Sequence, residues 1–193
     1  GTDLWRGGDF TDPESVCVNL RDGSCWVADL SSDRVVHLSA DGTELWRGTG
    51  FIRAWSVAVN PKDGSCWVGC AGKQEQDASG AWPWVGSAVV HLSQDGTELW
   101  RGEQFDEPHS VSVSSADGSC WVANWQKNEV VHLAEDGTDL CRRGGLDPGS
   151  SVSASPRDGS CWVADRRTDQ LVRLGADGAE LWRGGKFGGV GPI

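Results

Sequence analysis

Histidine is the side chain best suited to bind a transition metal or to transfer a proton near neutral pH, and this chain has four. Three of them recur at one position of a repeated Val-Val-His-Leu segment, as His37, His91 and His132. In the fourth copy of the segment that position holds Arg173, which has no lone pair to offer a metal. We therefore predict that the repeated histidines are structural, and the sequence indicates no catalytic residue, no metal site and no cofactor.

The seven cysteines could form disulfides or bind zinc. Equivalent positions of successive repeats are expected to lie farther apart than the roughly 4.4 to 6.8 Å between Cα atoms that a disulfide requires. Zinc and thioredoxin chemistry lack a Cys-x-x-Cys motif. We predict buried free thiols, with Cys17 and Cys25 as the one pair that could bridge across a hairpin. The four cysteines at one equivalent position are Cys25, Cys66, Cys120 and Cys161.

The twelve tryptophans divide into a repeated set and an unrepeated set. The repeated set is predicted to pack between structural units, because aromatic rings bury large apolar areas. The unrepeated tryptophans indicate a contact surface for a sugar, a peptide or a protein, or else an inserted loop that packs on its own aromatic rings. The repeated set is Trp5, Trp26, Trp46, Trp67, Trp100, Trp121, Trp162 and Trp182, and the unrepeated set is Trp55, Trp82, Trp84 and Trp125.

The elements that position these residues follow from an internal repeat. Asp-Gly-Ser-Cys-Trp-Val begins at Asp22, Asp63, Asp117 and Asp158, in steps of 41, 54 and 41 residues. A second motif, Asp-Gly-(Thr/Ala)-(Glu/Asp)-Leu-(Trp/Cys), follows the same arithmetic. A 41-residue unit therefore occurs four times with one 13-residue insertion, a period typical of solenoids, propellers or arrays.

Each unit is predicted to contain four short strands. In the first unit they are Ser15 to Val18, Ser24 to Ala28, Val35 to Leu38 and Glu44 to Arg47. β-Branched and aromatic residues fill these segments, and an Asp-Gly pair separates the first strand from the second and the third from the fourth, which indicates antiparallel hairpins. No segment has the 3.6-residue apolar period of a helix. Four antiparallel strands in about 40 residues are typical of one propeller blade.

The repeated segments resemble the NHL-repeat β-propellers over almost the whole chain. The similarity lies in Ser-Val-x-Val, in Asn-Pro-Lys-Asp-Gly-Ser-Cys-Trp-Val of the second unit, in Val-Val-His-Leu and in Asp-Gly-Thr-Glu-Leu-Trp-Arg-Gly. The Gly-His and Trp-Asp signatures of WD40 blades are missing. The resemblance implies an all-β propeller, with a parallel solenoid as the structural alternative. Some NHL relatives, the peptide-amidating lyases, are metal-dependent enzymes, but no ligand set here matches that role.

The predicted organisation is a single repeat domain over residues 1–193. Residues 1–7 copy a fourth strand and residues 185–193 begin a further repeat. Because one fourth strand is surplus, we expect self-association or additional blades in a longer chain. Blade 1 spans residues 8–48, blade 2 spans 49–102 with its insertion at 73–87, blade 3 spans 103–143 and blade 4 spans 144–184.

Strand alternation assigns the loops to two faces. The Asp-Gly turns share one face and are nearly constant in sequence, whereas the loops on the other face differ in every unit and include the insertion. Diversified loops on a rigid scaffold are where binding usually resides, although such loops can also simply drift. Two columns of residues reach the channel mouth there: Glu14, Trp55, His109 and Ser150 before the first strands, and Asp29, Cys70, Asn124 and Asp165 after the second. The candidate binding residues are Trp55, Trp82, Trp84, Trp125, His109 and Asn124.

Charge and composition narrow the function. The net charge of −11 disfavours nucleic acid as a partner, because nonspecific nucleic-acid affinity comes from Lys and Arg. No apolar stretch approaches the roughly 20 residues of a membrane helix, so no membrane insertion is expected. The sequence favours a non-catalytic binding or assembly scaffold for a protein or glycan. The alternatives are a hydrolase or lyase with its site at the channel mouth, and a purely structural subunit of a larger assembly.

Overall fold

A computed structural model describes residues 5–7, 9–149 and 151–185 of the chain. These residues form four antiparallel sheets of four strands each, so every predicted unit is one blade and the parallel solenoid is excluded. Within these ranges the one helical element is a 3-10 turn at Leu30–Ser32, and no helix is long and apolar enough to cross a membrane.

The strands follow the repeat. Blade 1 contains β1 (Pro13–Val18), β2 (Cys25–Asp29), β3 (Arg34–Leu38) and β4 (Glu44–Thr49). Blade 2 contains β5 (Ala54–Val59) and β6 (Cys66–Cys70), an insertion hairpin of β7 (Lys73–Gln74) and β8 (Trp84–Val85), and then β9 (Ala88–Leu92) and β10 (Glu98–Gly102). Blade 3 contains β11 (Pro108–Val113), β12 (Cys120–Asn124), β13 (Glu129–Leu133) and β14 (Asp139–Gly144). Blade 4 contains β15 (Val152–Ala154), β16 (Cys161–Asp165), β17 (Gln170–Leu174) and β18 (Glu180–Gly184).

The Asp-Gly pairs close the turns on one face by a repeated set of hydrogen bonds. Between β1 and β2, the Asp22 carboxylate accepts the backbone N–H of Ser24 at 2.9 Å and its hydroxyl at 2.7 Å. Gly23 has φ of 75°, a backbone conformation that a residue with a Cβ rarely adopts. Between β3 and β4, Asp41 accepts in the same way from the Ser39 hydroxyl at 2.5 Å and from the Thr43 N–H at 3.0 Å.

The core lies between the blades. Trp26, Trp67 and Trp121 in the second strands are fully buried. Each stacks on the repeated histidine of the neighbouring third strand, with ring centroids 4.1 to 4.3 Å apart. Trp26, Trp67 and Trp121 each belong to an apolar cluster with residues of the next blade, so these three second-strand tryptophans pack between blades as predicted. The repeated histidines are therefore components of this core.

The first strands form the inner edge of the molecule. Strands β1, β5, β11 and β15 contact one another in sequence. They are linked by side-chain hydrogen bonds, as where the Val57 N–H donates to the Ser15 hydroxyl at 3.2 Å. The fourth strands therefore form the outer edge, and the first strands line the predicted channel.

The sequence left a Cys17–Cys25 disulfide possible and predicted additional repeat segments at the two chain ends. Cys17 and Cys25 do not bridge, and all seven cysteines are free. Cys17 lies opposite Trp26 whereas Cys25 lies opposite Val18, so the two thiols point to opposite sides of the sheet. The surplus fourth strand at residues 1–7 and the further repeat at residues 185–193 fall mostly outside the described residues.

Candidate functional site

The positions before each first strand owe their geometry to β-bulges. In blade 2 the pairing of β5 with β6 shifts between Ala54 and Ser56, and in blade 3 the pairing of β11 with β12 shifts between Pro108 and Ser110. The extra residue is Trp55 in blade 2 and His109 in blade 3. A bulge releases its extra residue from strand alternation and re-aims the side chain. Both rings therefore lie at the loop face, where the channel opens.

Three aromatic rings from blades 2 and 3 form one stack. The Trp55 and His109 ring centroids are 4.6 Å apart with an interplanar angle of 10°. The His109 and Trp125 centroids are 4.7 Å apart at 28°. Trp125 belongs to the turn between β12 and β13, and its backbone N–H donates to the Glu107 backbone carbonyl at 3.2 Å. We call these three residues the Trp–His–Trp stack.

Two arginines add positive charge near the stack. The Arg53 guanidinium carbon lies 5.5 Å from the Trp55 ring centroid, within cation–π distance. The pKa of His109 is lowered to about 4, first by burial of the ring and then by the positive charges of Arg53 and Arg166. The imidazole is therefore neutral at pH 7. Since loss of either arginine charge would raise this pKa, the two arginines belong to the electrostatics of the stack.

A buried carboxylate lies next to the histidine. Glu107 is only 4% exposed, and its Oε2 lies 4.0 Å from His109 Nε2. A neutral ring at that distance makes neither an ion pair nor a hydrogen bond with the carboxylate. The same Oε2 instead accepts a hydrogen bond from the Gln126 amide at 2.9 Å. The loop that leads into β11 thus places one carboxylate and one imidazole 4.0 Å apart.

The backbone at the entrance to both bulges is unusual. Arg53 and Glu107 occupy equivalent positions of blades 2 and 3, and each has φ of 50°, a left-handed conformation that costs a non-glycine residue about 1 to 2 kcal/mol. Hydrogen bonds hold both: the Arg53 N–H donates to Asp33 at 2.7 Å, and the Glu107 N–H donates to the Ser87 hydroxyl at 2.9 Å. Strained backbone of this kind concentrates at functional sites.

The insertion hairpin extends the same face. Trp84 is half-buried and lines a cavity of about 530 Å³ between the insertion and the loops of blade 3. Polar side chains share that lining, among them Arg101, Asp106 and Lys127. Trp82 in the connecting loop is 59% exposed. The insertion therefore presents one tryptophan to solvent and one to a polar cavity.

Asn124 stabilises the loop that precedes His109. It is fully buried at the end of β12, its Oδ1 accepts the Asp106 N–H at 2.7 Å, and its Nδ2 donates to Glu129 at 2.7 Å. In blades 1 and 4 the equivalent carboxylates of Asp29 and Asp165 also accept loop N–H groups. The residues at the end of the second strands thus hold the loop that leads into each first strand. Asn124 does not contact the stack, but it holds the backbone of the loop that precedes His109.

The structure thus brings Trp55, His109 and Trp125 together and leaves the insertion tryptophans apart from them. Among the described residues, no ring contact joins Trp82 or Trp84 to the stack. Sequence analysis missed Arg53, Glu107 and Arg166. Arg53 and Glu107 lie two residues before Trp55 and His109, and Arg166 directly follows Asp165. All three positions belong to variable-face loops, so they could have been considered as candidates from the sequence.

A second cavity, of about 650 Å³, lies on the opposite side of blades 2 and 3, near the Asp-Gly turns. His91 and Asp117 contribute to its lining. His91 Nδ1 donates to the Glu135 carbonyl at 3.0 Å, and Asp117 accepts the Ser119 hydroxyl at 2.7 Å. Because these polar groups serve the repeated contacts of the fold, we place the candidate site on the variable face.

Comparison with known proteins shows the fold and leaves the family open. No family model and no curated protein sequence matches the chain. Solved structures do. A chain of the nidogen/laminin complex aligns with a TM-score of 0.66 and 16% identity, covering 91% of this chain and 64% of the other. The streptogramin B lyase structure aligns with a TM-score of 0.64 and 14% identity, covering 89% and 53%.

A third similar structure is the Kuenenia stuttgartiensis hydrazine synthase, with a TM-score of 0.69, 16% identity and coverage of 91% and 49%. These matches and the four blade-like sheets agree. The fold is a β-propeller. This propeller chain spans about half to two-thirds of the length of the structures that it matches.

Proposed function

We propose that this propeller is a non-catalytic binding module of the NHL type, which holds a partner on the loop face of blades 2 and 3. The observation that carries the proposal is the Trp–His–Trp stack with its flanking arginine. A β-bulge that recurs in blades 1, 2 and 3 positions the residue before the first strand, and in blades 2 and 3 that residue is an aromatic ring outside the repeated core positions. Scaffold loops that concentrate aromatic and Arg residues have the composition of binding hot spots.

A protein is the partner that the site favours over a glycan. A sugar needs a free aromatic face, and both faces of His109 and one face of Trp55 are covered. Arg53 and Arg166 add positive charge beside the aromatic rings, and Trp82 is an exposed apolar anchor. Aromatic anchors and arginines are enriched at protein interfaces.

The test uses two probes, a displayed library of linear peptides and a panel of immobilised glycans. We expect the wild-type protein to select peptides, and the double variant Trp84→Ala/Trp125→Ala to lose that binding with little change in melting temperature, because neither ring occupies a repeated core position. Leu181→Ala is the control, since Leu181 lies on the outer strand of blade 4 and is 56% exposed. A double variant that melts much earlier and still binds would show that the rings only pack the loops.

The second candidate function is an enzyme at the same channel mouth. It is favoured by Glu107 and His109, a carboxylate and an imidazole 4.0 Å apart, since hydrolases and lyases use groups of these two types for proton transfer. The low pKa of His109 makes the ring a weak base at pH 7. His109→Phe distinguishes the two functions, because it keeps an aromatic ring in the stack and removes the proton-transfer group. A binding module keeps its peptide affinity in this variant, whereas an enzyme loses turnover.

A further inference from the structure

The cavity beside the insertion hairpin has two walls that are tied together. One wall is the end of the insertion, with Trp84 and Ser87, and the other is the loop that leads into β11, with Phe105 and Asp106. The Glu107 backbone N–H donates to the Ser87 hydroxyl at 2.9 Å and so links the two walls. This cavity of about 530 Å³ is therefore a preorganised part of the loop face.

Asp106 brings an unpaired carboxylate to this cavity. Its Oδ1 is buried and accepts no hydrogen bond in the described part of the chain, and its side chain makes no ion pair there. The other buried side-chain atoms in that situation belong to repeated tryptophan, histidine and serine positions of the blades, whereas position 106 differs from blade to blade. Because a buried acceptor without a donor destabilises a protein, the Asp106 carboxylate suits a donor that comes from outside the fold.

The backbone of Asp106 is fixed on both sides, so its carboxylate has a defined position. The Asp106 N–H donates to Asn124 Oδ1 at 2.7 Å, and the Asp106 carbonyl accepts the Gln126 N–H at 3.3 Å. Asp106 also directly precedes Glu107, whose carboxylate lies beside His109 of the stack. The cavity and the Trp–His–Trp stack thus share one loop, and one bound segment can contact both.

Trp84 adds an aromatic ring to the lining of the same cavity. The ring is half-buried, and among the described residues no aromatic ring or guanidinium stacks on it. An indole ring and an unpaired carboxylate in one cavity suit a guanidinium, because this planar cation stacks on aromatic faces and donates to a carboxylate from its edge.

The other charges of the lining leave it negative. Arg101 is neutralised by Glu98, whose Oε2 lies 2.7 Å from the Arg101 Nη2 atom. Lys127 is then the one cation of the described lining without a carboxylate partner, and the carboxylates of Asp106 and Glu103 outnumber it. Since the whole chain carries a net charge of −11, a basic partner is also attracted at longer range.

We propose that the cavity binds an arginine side chain of the partner, whose guanidinium stacks on Trp84 and donates to Asp106. This rests on the proposed function, since it assigns one residue of the peptide that the loop face selects. Arginine is favoured over lysine, because an ammonium group binds a carboxylate as a point charge and has no planar face to lay on an indole ring.

Two small probes test the site without the rest of the partner. N-acetyl-arginine methylamide carries the guanidinium, and N-acetyl-citrulline methylamide replaces it by a neutral urea group of the same shape. NMR titration of the full 193-residue chain, with the Trp84 indole N–H as reporter, measures both affinities. The arginine probe should bind about tenfold more tightly than the citrulline probe, because hydrogen bonds between charged groups contribute more than neutral ones.

Three variants identify the charge that is responsible. Asp106→Asn should remove the preference for the arginine probe, because the amide keeps the shape of the side chain and loses its charge. Lys127→Gln should strengthen arginine binding, because it removes a cation from the lining. Glu75→Gln is the matched control: it removes the same charge from an exposed position of the insertion, 3.8 Å from Lys73 and outside the cavity lining, and should change neither affinity.

Equal affinities for the two probes, binding of neither probe, or an unchanged preference in folded Asp106→Asn would overturn the inference. If circular dichroism shows that Asp106→Asn is unfolded, the two probes on the wild type and on Lys127→Gln decide the question.

The outcome is separable from that of the proposed function. Peptides selected without a preference for arginine, together with an arginine probe that does not bind, would leave the binding module and remove this site. An arginine probe that binds although the library yields no peptide would keep the site and remove the peptide partner.

Discussion

The contacts of each ring, more than the residue type, distinguish His109 from the other three histidines. His37, His91 and His132 each stack on one tryptophan of their own blade within the core. His109 is held between tryptophans of two blades and lies in the field of two arginines. Burial lowers the pKa of all four rings, but only at His109 do positive charges lower it further.

This electrostatic arrangement gives a prediction at His109. Removing a positive charge makes the imidazolium easier to form, so Arg53→Gln should raise the pKa of His109 from about 4 toward the ordinary value of 6.5. Most of the lowering should remain, because burial is its largest cause. Two-dimensional NMR of the imidazole carbon-bound protons across a pH series measures the midpoint.

The control for that titration is Arg47→Gln, which removes an arginine from the outer strand of blade 1, where it pairs with Glu44. It should leave the His109 midpoint unchanged. As the pH falls from 6.5 to about 4, His109 binds a proton in the unfolded chain but not in the folded protein, so the free energy of unfolding decreases. Arg53→Gln raises the lower limit of this pH range, because it raises the pKa of His109 in the folded protein. A midpoint that stays fixed or falls would contradict the electrostatic account.

Part of the stack could be predicted from sequence. Trp55 and His109 are 54 residues apart, one repeat of 41 plus the insertion of 13, so the repeat alone places them side by side in neighbouring blades. The position of Trp125 depends on the turn after β12, and the contribution of Arg166 depends on the packing of blade 4 against blade 3. Neither follows from periodicity, because variable loops carry no repeated signal.

Among the elements, the strands were predictable and their irregularities were not. The alternation of apolar residues and the Asp-Gly pairs locate four strands in each unit. The bulges at Trp55 and His109 add one residue to a strand that already contains Ser-Val-x-Val, so they leave no mark on the pattern. The hairpin in the insertion pairs only Lys73 with Val85 and Gln74 with Trp84. Segments this short have no period to detect.

The repeat supplies a matched pair for measuring how much a neighbouring blade stabilises a strand. Trp121 and Trp162 occupy the same position of blades 3 and 4, but Trp121 is fully buried and Trp162 is 36% exposed. Trp121 also donates its indole N–H to the Gly159 carbonyl of blade 4 at 3.0 Å. Trp121→Ala should therefore cost about 3 to 5 kcal/mol of unfolding free energy, and Trp162→Ala clearly less.

Urea denaturation followed by circular dichroism measures both free energies, at protein concentrations where sedimentation shows a monomer. Val68→Ala in the core of blade 2 provides a reference for an ordinary buried residue. Equal losses for Trp121→Ala and Trp162→Ala would mean that the packing of blade 4 against blade 3 contributes nothing at the Trp121 position.

For the whole molecule, the architecture could be predicted from the sequence because the same strand and turn pattern occurs in four units. Where the strand pattern of one unit is ambiguous, the equivalent positions of the other three units show which assignment is right. The repeat does not specify which blades have neighbours on both sides. In the structure this distinction separates blades 2 and 3, whose two faces are covered, from blades 1 and 4, each of which has one exposed face carrying valines or tryptophans.

That difference predicts a gradient of stability along the chain. In a repeat protein each unit is stabilised mainly by its neighbours, so blades with two neighbours open less often than blades with one. Amide hydrogen exchange should therefore be slowest in β6, β9, β12 and β13 and faster in the equivalent strands β2, β3, β16 and β17. Mass spectrometry of peptic fragments at low protein concentration resolves the four blades. The buried tryptophan positions of blades 1 to 3 provide equivalent peptides for comparison. Uniform protection across all four blades at low concentration would mean that the chain unfolds as one cooperative unit, and that the exposed faces of blades 1 and 4 cost it no local stability.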